Sequence, residues 1–353
     1  MTSAPSAPAM RYDLVVVGTD GSATARPVEE VAIAVARAAG GEVLFVSAFQ
    51  GDDGRHSAEQ AVEEALARAL AAGGKARTEV AEGEPAAVIM EVADRSDAKL
   101  VIVDDAGMGE RRRLRLGGTA DRISHSMPCD TLIVRTASAE RSEDRVAYRK
   151  VLLATDGSST ATHAVRVGTE LARAMSAAIE IVHVKDEVMG AVIMKEAAAL
   201  LGEEEVPGHP LSGDVGKGIA EAARGFDLVV VGNKGMRGSV RIHMGKVPDQ
   251  VSHLAPCDVL IVNTVDRSLD DLLPSEGAVV TIDGKKVAAY READGAVVLL
   301  SPRCRHRGCT VGWNEVAGTW DCPCHGSRYD AHGKVFQGPA TGDLGAAGSE
   351  ERS

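Results

Sequence analysis

The sequence predicts a multidomain chain: two α/β units, each built on a parallel sheet, followed by a small all-β unit. Three observations predict it. A stretch of about 130 residues occurs twice, short apolar runs alternate with segments of helical period inside each copy, and both patterns stop near residue 276. At 353 residues the chain also exceeds the ~250–300 residues beyond which a single core stops growing.

The repeat begins with Asp13-Leu-Val-Val-Val-Gly-Thr-Asp-Gly-Ser22, which returns as Lys150-Val-Leu-Leu-Ala-Thr-Asp-Gly-Ser158. It closes with Pro128-Cys-Asp-Thr-Leu-Ile-Val134, which returns as Pro256-Cys-Asp-Val-Leu-Ile-Val262. Runs without alternation, such as Leu14–Val17, 43–46, Leu100–Val103 and Leu132–Val134, are what strands buried on both faces look like. Between them, Val28, Val31, Ala32 and Val35 follow Pro27 at helical spacing, then Ala61, Val62, Ala65, Leu66 and Ala69. The second copy repeats this with Ala164, Val165, Leu171, Ala172 and Met175, although its middle, 187–213, fits less well. Polar stretches near 137–147 and 266–275 read as linkers, giving expected domains at 11–136, 148–265 and 276–344.

Composition narrows the function. With 44% hydrophobic and 25% charged residues the chain is of ordinary globular type, and a net charge of −12 argues against nucleic acid or an anionic membrane surface as partner. No signal-like segment or membrane-length apolar run stands out, so the expectation is a cytoplasmic protein without a membrane anchor. Of six cysteines, Cys129 and Cys257 stand alone as structural thiols, whereas Cys304, Cys309, Cys322 and Cys324 fall within 21 residues. His125 and His253 sit at matching places in the repeat, which favours packing or exposure over ligation.

Open α/β sheets bind ligands at the carboxyl ends of their strands. After the run Leu228–Val231 come Gly232, Gly235 and, after nine intervening residues, Gly245, glycines that let backbone amides approach an anion at a helix start. Together with the Thr-Asp-Gly-Ser and Pro-Cys-Asp segments, this resembles the universal stress protein family over roughly 250 residues. The resemblance implies five-stranded parallel sheets, pairing of the two domains through their last strands, and in some members ATP between the first and fourth strands. It maps the nucleoside-holding acid to Asp156 and the phosphate loop to Gly232, Gly235 and Gly245, so ATP with Mg is expected in domain 2. Lys246 stands where the family usually has Ser or Thr; it supplies a point charge but no hydroxyl. Domain 1 has Asp104-Asp105 where the loop should open, and two carboxylates repel a triphosphate; despite Asp20, Gly107 and Gly117 it is expected to bind no ATP. The basic run 111–115 reads as a solvated face.

From Gly277 the pattern changes to short β-rich runs, 278–282, 285–290 and 296–301, joined by Asp283-Gly284 and Asp294-Gly295 turns. A unit this small needs a metal or a disulfide as a staple. Cys304-Arg-His306 and Cys322-Pro-Cys-His325 each offer one soft thiolate and one imidazole to a metal. Tetrahedral zinc leaves Cys309, Cys324 and the glycines without a role.

These two boxes resemble the Rieske iron-sulfur domain over 276–344. The resemblance implies a [2Fe-2S] cluster with Cys304 and Cys322 on one iron, His306 and His325 on the other, and a Cys309–Cys324 disulfide. It also implies hydrogen bonds from Ser327 and Tyr329 to cluster sulfurs, and a shielding loop at Gly338-Pro339-Ala340. Neutral imidazoles replace two anionic thiolates, so a midpoint in the upper half of about −150 to +300 mV is expected. Arg307 stands where quinol-oxidising relatives carry an apolar residue, which suits an acidic protein or anionic donor better than a quinone in lipid. The expected function is a soluble one-electron carrier acting with a redox partner protein, a reductase or cytochrome, as a component of an oxidoreductase system. The alternative is a redox- and energy-sensing stress regulator whose cluster state modulates nucleotide or partner binding. A Rieske oxygenase would need a facial triad that residues 1–265 do not display. The two stress domains are expected to dock within one chain, and a homodimer is a further expectation.

Overall fold

The computed structural model describes residues 11–348 apart from 106–116, 128, 137–147, 185–186, 203–205, 212, 234–243, 265–268, 283–284, 315–316 and 323–324. The described residues divide between two compact units on either side of Asn263.

The first copy of the repeat runs β1 (Leu14–Gly18), α1 (Ala25–Ala39), β2 (Glu42–Phe49), α2 (Asp52–Ala71), β3 (Lys75–Glu82), α3 (Pro85–Arg95), β4 (Leu100–Asp104), α4 (Gly118–Ser126), β5 (Asp130–Val134). The second runs β6 (Lys150–Thr155), α5 (Ser159–Ala174), β7 (Ala178–Val184), α6 (Glu187–Leu201), β8 (Gly208–Leu211), α7 (Val215–Ala222), β9 (Leu228–Gly232), α8 (Lys246–Leu254), β10 (Asp258–Val262). All ten strands form one sheet in the order β3-β2-β1-β4-β5-β10-β9-β6-β7-β8. Every neighbouring pair is parallel except β5 and β10, which meet antiparallel through Ile133↔Val259, Leu132↔Leu260 and Thr131↔Ile261.

The apolar runs account for that sheet. Successive strand residues supply its two faces: Val15, Val17, Phe45, Ile102 and Leu153 pack under α1, α2, α5 and α6, while Val16, Leu44, Val101 and Leu152 pack under α3, α4, α7 and α8. β3 carries no apolar run and mixes exposed with half-buried residues, as an edge strand does. The poorly patterned 187–213 segment holds α6 and β8.

The Pro-Cys-Asp aspartates turn out to fasten the copies together. Asp130 and Asp258 are buried, and each carboxylate accepts a backbone N–H just past the other copy's last strand: Asn263 N at 2.8 Å and Arg135 N at 2.8 Å. The second oxygen of each accepts a phenol, Tyr12 at 2.7 Å and Tyr148 at 3.0 Å. Burial first, and then the Asp130 charge, push the Tyr12 phenol well above its usual range, so it remains a donor. His125 and His253 also meet the opposite copy: His125 Nε2 lies 3.5 Å from Asp249 and His253 Nε2 3.8 Å from Asp121.

The C-terminal unit has two antiparallel sheets. One contains β11 (Gly277–Ile282), β12 (Lys285–Arg291) and β13 (Val297–Leu300). The other contains β14 (Gly312–Asn314), β15 (Thr319–Asp321), β16 (Arg328–Tyr329) and β17 (Val335–Gln337). Trp313, Trp320 and Tyr329 stand opposite one another across β14, β15 and β16 and fill its core with Leu300 and Leu344. Gly277 is required where it stands, because a Cβ there would lie 2.5 Å from the Trp313 ring.

Candidate functional site

Two loops of matching backbone geometry project from the C-terminal unit. In the first, Cys304 N donates to Cys309 O at 2.8 Å and Gly308 N to Cys304 O at 2.8 Å. In the second, Cys322 N donates to Ser327 O at 2.8 Å and Gly326 N to Cys322 O at 3.0 Å. The turn residue at the same offset in each is a glycine of positive φ, +69° at Gly308 and +74° at Gly326, a conformation other residues adopt only with strain. This explains the mirrored spacing of the two boxes in the sequence.

The loops bring the expected residues together. Cys304 and Cys322 are buried, His306 is half-buried and His325 exposed, and the two imidazole rings meet edge to face with centroids 4.7 Å apart. His306 Nδ1 is buried without a hydrogen-bond partner. Among the described residues no three His, Cys, Asp or Glu side chains gather as around a single metal ion; an orphaned imidazole nitrogen is nonetheless a donor that a metal would satisfy.

Hydroxyl protons converge on Cys304. The Tyr329 phenol accepts Arg305 N–H at 3.0 Å, which leaves its own proton to donate to Cys304 Sγ at 3.2 Å. Burial opposes ionisation of the Cys304 thiol, but the hydrogen bonds from Tyr329, the His306 backbone and Ser327 outweigh it and hold the thiol below its usual value. Burial and the bond to Cys304 push the Tyr329 phenol up to about 12, so it stays protonated. Ser327 Oγ also accepts Ala340 N–H at 3.1 Å, tying the Gly338-Pro339-Ala340 segment to the second loop. Cys309 is half-buried and bonded to no other cysteine among the described residues, and Cys324, its expected partner, lies outside them.

In the second copy, Gly232 ends β9 and Gly245 precedes α8, donating its N–H to Asn233 O at 2.7 Å. Lys246 opens α8 and is exposed, while Gly235 lies outside the described residues. Asp156 is half-buried and accepts Ser158 N–H at 3.0 Å, as Asp20 accepts Ser22 N–H at 2.9 Å in the first copy. Gly107 and the 111–115 arginines also lie outside the described residues.

The first copy's two carboxylates divide their roles. Asp105 is taken up by Thr136 N and Oγ1, both at 2.9 Å, and by Arg135 at 3.6 Å. Asp104, at the position matching Gly232, has no such compensation. Burial, then Asp105 and Asp20, push its carboxyl up to about 7. A folded carboxyl that holds its proton more tightly than the unfolded one contributes stability that is full below about pH 4 and lost as pH rises through about 7. Asp104→Asn is therefore expected to raise the urea midpoint of the α/β unit at pH 8 and leave it nearly unchanged at pH 4. Far-ultraviolet circular dichroism at both values checks this, and equal shifts would contradict it.

Fold and site together define a protein with a tandem doubly wound α/β unit and a two-loop β unit built to hold a metal centre. The universal stress protein family matches residues 11–135, 147–193 and 186–263, and the Rieske [2Fe-2S] domain matches 264–347. The chain belongs to the universal stress protein family and carries a C-terminal Rieske [2Fe-2S] domain.

A universal stress protein from Archaeoglobus fulgidus DSM 4304 shares the fold, with a TM-score of 0.58 at 20% identity, covering 72% of this chain and 99% of that one. The C-terminal unit is 47% identical over 75 residues to a Bacillus subtilis protein provisionally named Rieske 2Fe-2S iron-sulfur protein YhfW, covering 21% of this chain and 15% of the relative. It is 42% identical over 77 residues to the cytochrome b6-f complex iron-sulfur subunit of Prochlorococcus marinus, covering 21% of this chain and 38% of that subunit. The chain thus spans well under half the length of these curated relatives. No helix among the described residues is long and apolar enough to cross a membrane.

Proposed function

We propose that the protein is a one-electron carrier, with Cys304 and Cys322 on one iron and His306 and His325 on the other. The observation that carries this reading is the orphaned, buried Nδ1 of His306, whose ring meets that of His325, on loops whose buried Cys304 and Cys322 thiols meet each other. The cluster, when bound, accepts and releases one electron at a potential raised by its neutral imidazole ligands. The chain's own residues do the rest. Tyr329 and Ser327 aim hydroxyl protons at the Cys304 sulfur and so favour the more electron-rich state. Closure of each loop on its glycine turn fixes where the thiols stand. A Cys309–Cys324 disulfide joining the loops belongs to the same proposal.

Electron paramagnetic resonance of the dithionite-reduced protein, with iron quantitation, tests the assignment. The low average g of mixed histidine and cysteine ligation is expected; a silent, zinc-loaded protein would overturn it. Tyr329→Phe is expected to keep its iron and lower the midpoint by about 65 mV. A hydrogen bond to a charged group contributes about 1.5 kcal/mol, and a one-electron couple moves about 59 mV per tenfold change. Redox titration of wild type and variant measures this, and an unchanged midpoint would rule out the bond.

We further propose ATP with Mg as the ligand of the second α/β copy. Gly232 and Gly245 at the carboxyl ends of the sheet, with Lys246 exposed on the first turn of α8, support it. Equilibrium dialysis with ATP, wild type against Lys246→Glu, tests it: retention by wild type alone is expected, and equal retention or none would refute it.

A further inference from the structure

We propose that the rim of the two metal-binding loops is the docking face for an acidic redox protein, specifically a carboxylate-rich ferredoxin that delivers its electron there. This rests on the one-electron reading of the site and names its partner.

Three sets of described residues frame the site: 303–310, 325–328 and 336–342. Their only formal charges are Arg303, Arg305, Arg307 and Arg328, with no carboxylate among them, in a chain whose net charge is −12. Arg303, Arg305 and Arg307 alternate with Cys304 and His306 along the first loop; the cysteine is buried and all three arginines are exposed. Neither Arg303 nor Arg307 has an ion-pair partner among the described residues. Arg328 is different: Asp321 neutralises it at 3.0 Å, and its guanidinium lies 5.6 Å over the Phe336 ring. Phe336 is 55% exposed, and Gln337, Pro339 and Thr341 beside it are exposed as well. The three segments thus expose an apolar side chain at Phe336, cations without an ion-pair partner among the described residues at Arg303 and Arg307, and His325.

Charge complementarity selects the occupant. An acidic partner is repelled by the net charge of the chain and attracted at this rim, so the field that captures it also orients it toward the histidine ligands. A basic cytochrome would be turned away from the same place. The transfer balances without bond-making: the ferredoxin loses one electron and becomes oxidised, and the Rieske centre gains it. Ferredoxin clusters lie below Rieske centres in potential, so the electron moves downhill.

The test uses the full-length holoprotein with a plant-type [2Fe-2S] ferredoxin as probe. Stopped-flow gives the second-order rate at low and high salt, and binding to immobilised ferredoxin gives the affinity. Arg303→Glu/Arg307→Glu is expected to lower both rate and affinity about tenfold or more at low salt and to flatten the salt dependence. Arg303→Lys/Arg307→Lys should keep both near wild type. Unchanged values in the glutamate variant, or faster reduction by a basic cytochrome that the glutamates accelerate further, would overturn the proposal. Iron content and the resonance signal report on the cluster separately, and the affinity reads the face whether or not iron is bound.

Discussion

Removing the two buried aspartates that join the copies, Asp130→Ala with Asp258→Ala, is expected to destabilise the α/β unit by several kcal/mol, with about 3 kcal/mol for either alone. Each alanine removes the acceptor of a backbone N–H of the opposite copy and of a phenol of its own, all buried, where a lost hydrogen bond costs roughly 1–3 kcal/mol. Arg11, 3.6 Å from Asp130, loses that ion pair too. Asparagine at either place keeps an acceptor and should cost less. The measurement can be made by region, since both tryptophans, Trp313 and Trp320, belong to the C-terminal unit. Circular dichroism of the helices should show the urea midpoint fall while the tryptophan fluorescence transition stays in place. Unmoved helices would mean that β5 and β10 hold without these carboxylates.

Gly338→Ala is expected to abolish iron incorporation while the α/β unit remains folded. A Cβ at Gly338 would lie 2.5 Å from Ser327 Cα, 2.7 Å from Gly326 O and 2.8 Å from Ser327 N. All three are backbone atoms of the second metal-binding loop, so no flexible side chain can yield. Gly338 also has φ of +97°, which adds strain for any other residue. Together these put the cost at roughly 3 kcal/mol or more, concentrated on the loop that carries Cys322 and His325. Iron quantitation, the visible spectrum and circular dichroism of the purified variant would show it. Normal iron content would show that the 338–340 segment can lift away without disturbing the loop.

Much of this was legible because it depends on short-range chemistry. Uninterrupted apolar runs such as Leu228–Val231 can only be strands covered on both faces, and they are. Cys304, His306, Cys322 and His325, the proposed ligands, stood out because a loop that holds a metal constrains the spacing of its donors. The weaker signals failed for equally local reasons. β3 lies at the sheet edge, where one-sided cover leaves no apolar run, and the segment 187–213 gave little hint of β8. Asp130 and Asp258 read only as part of a repeated Pro-Cys-Asp motif, since the groups they hold lie more than 100 residues away. His125 and His253 likewise gave no sign that each faces an aspartate of the other copy.

The sequence by itself determined the tandem repeat, the change to a small β unit, and the residue types able to bind a cluster, because burial patterns and ligand chemistry are written in neighbouring residues. Only the tertiary structure decided that ten strands share one sheet, that buried aspartates clasp it at the centre, and that Gly338 presses on the second loop. It also revealed which arginines of the rim lack a counter-charge among the described residues. These are meetings of groups distant along the chain, and packing alone determines who meets whom.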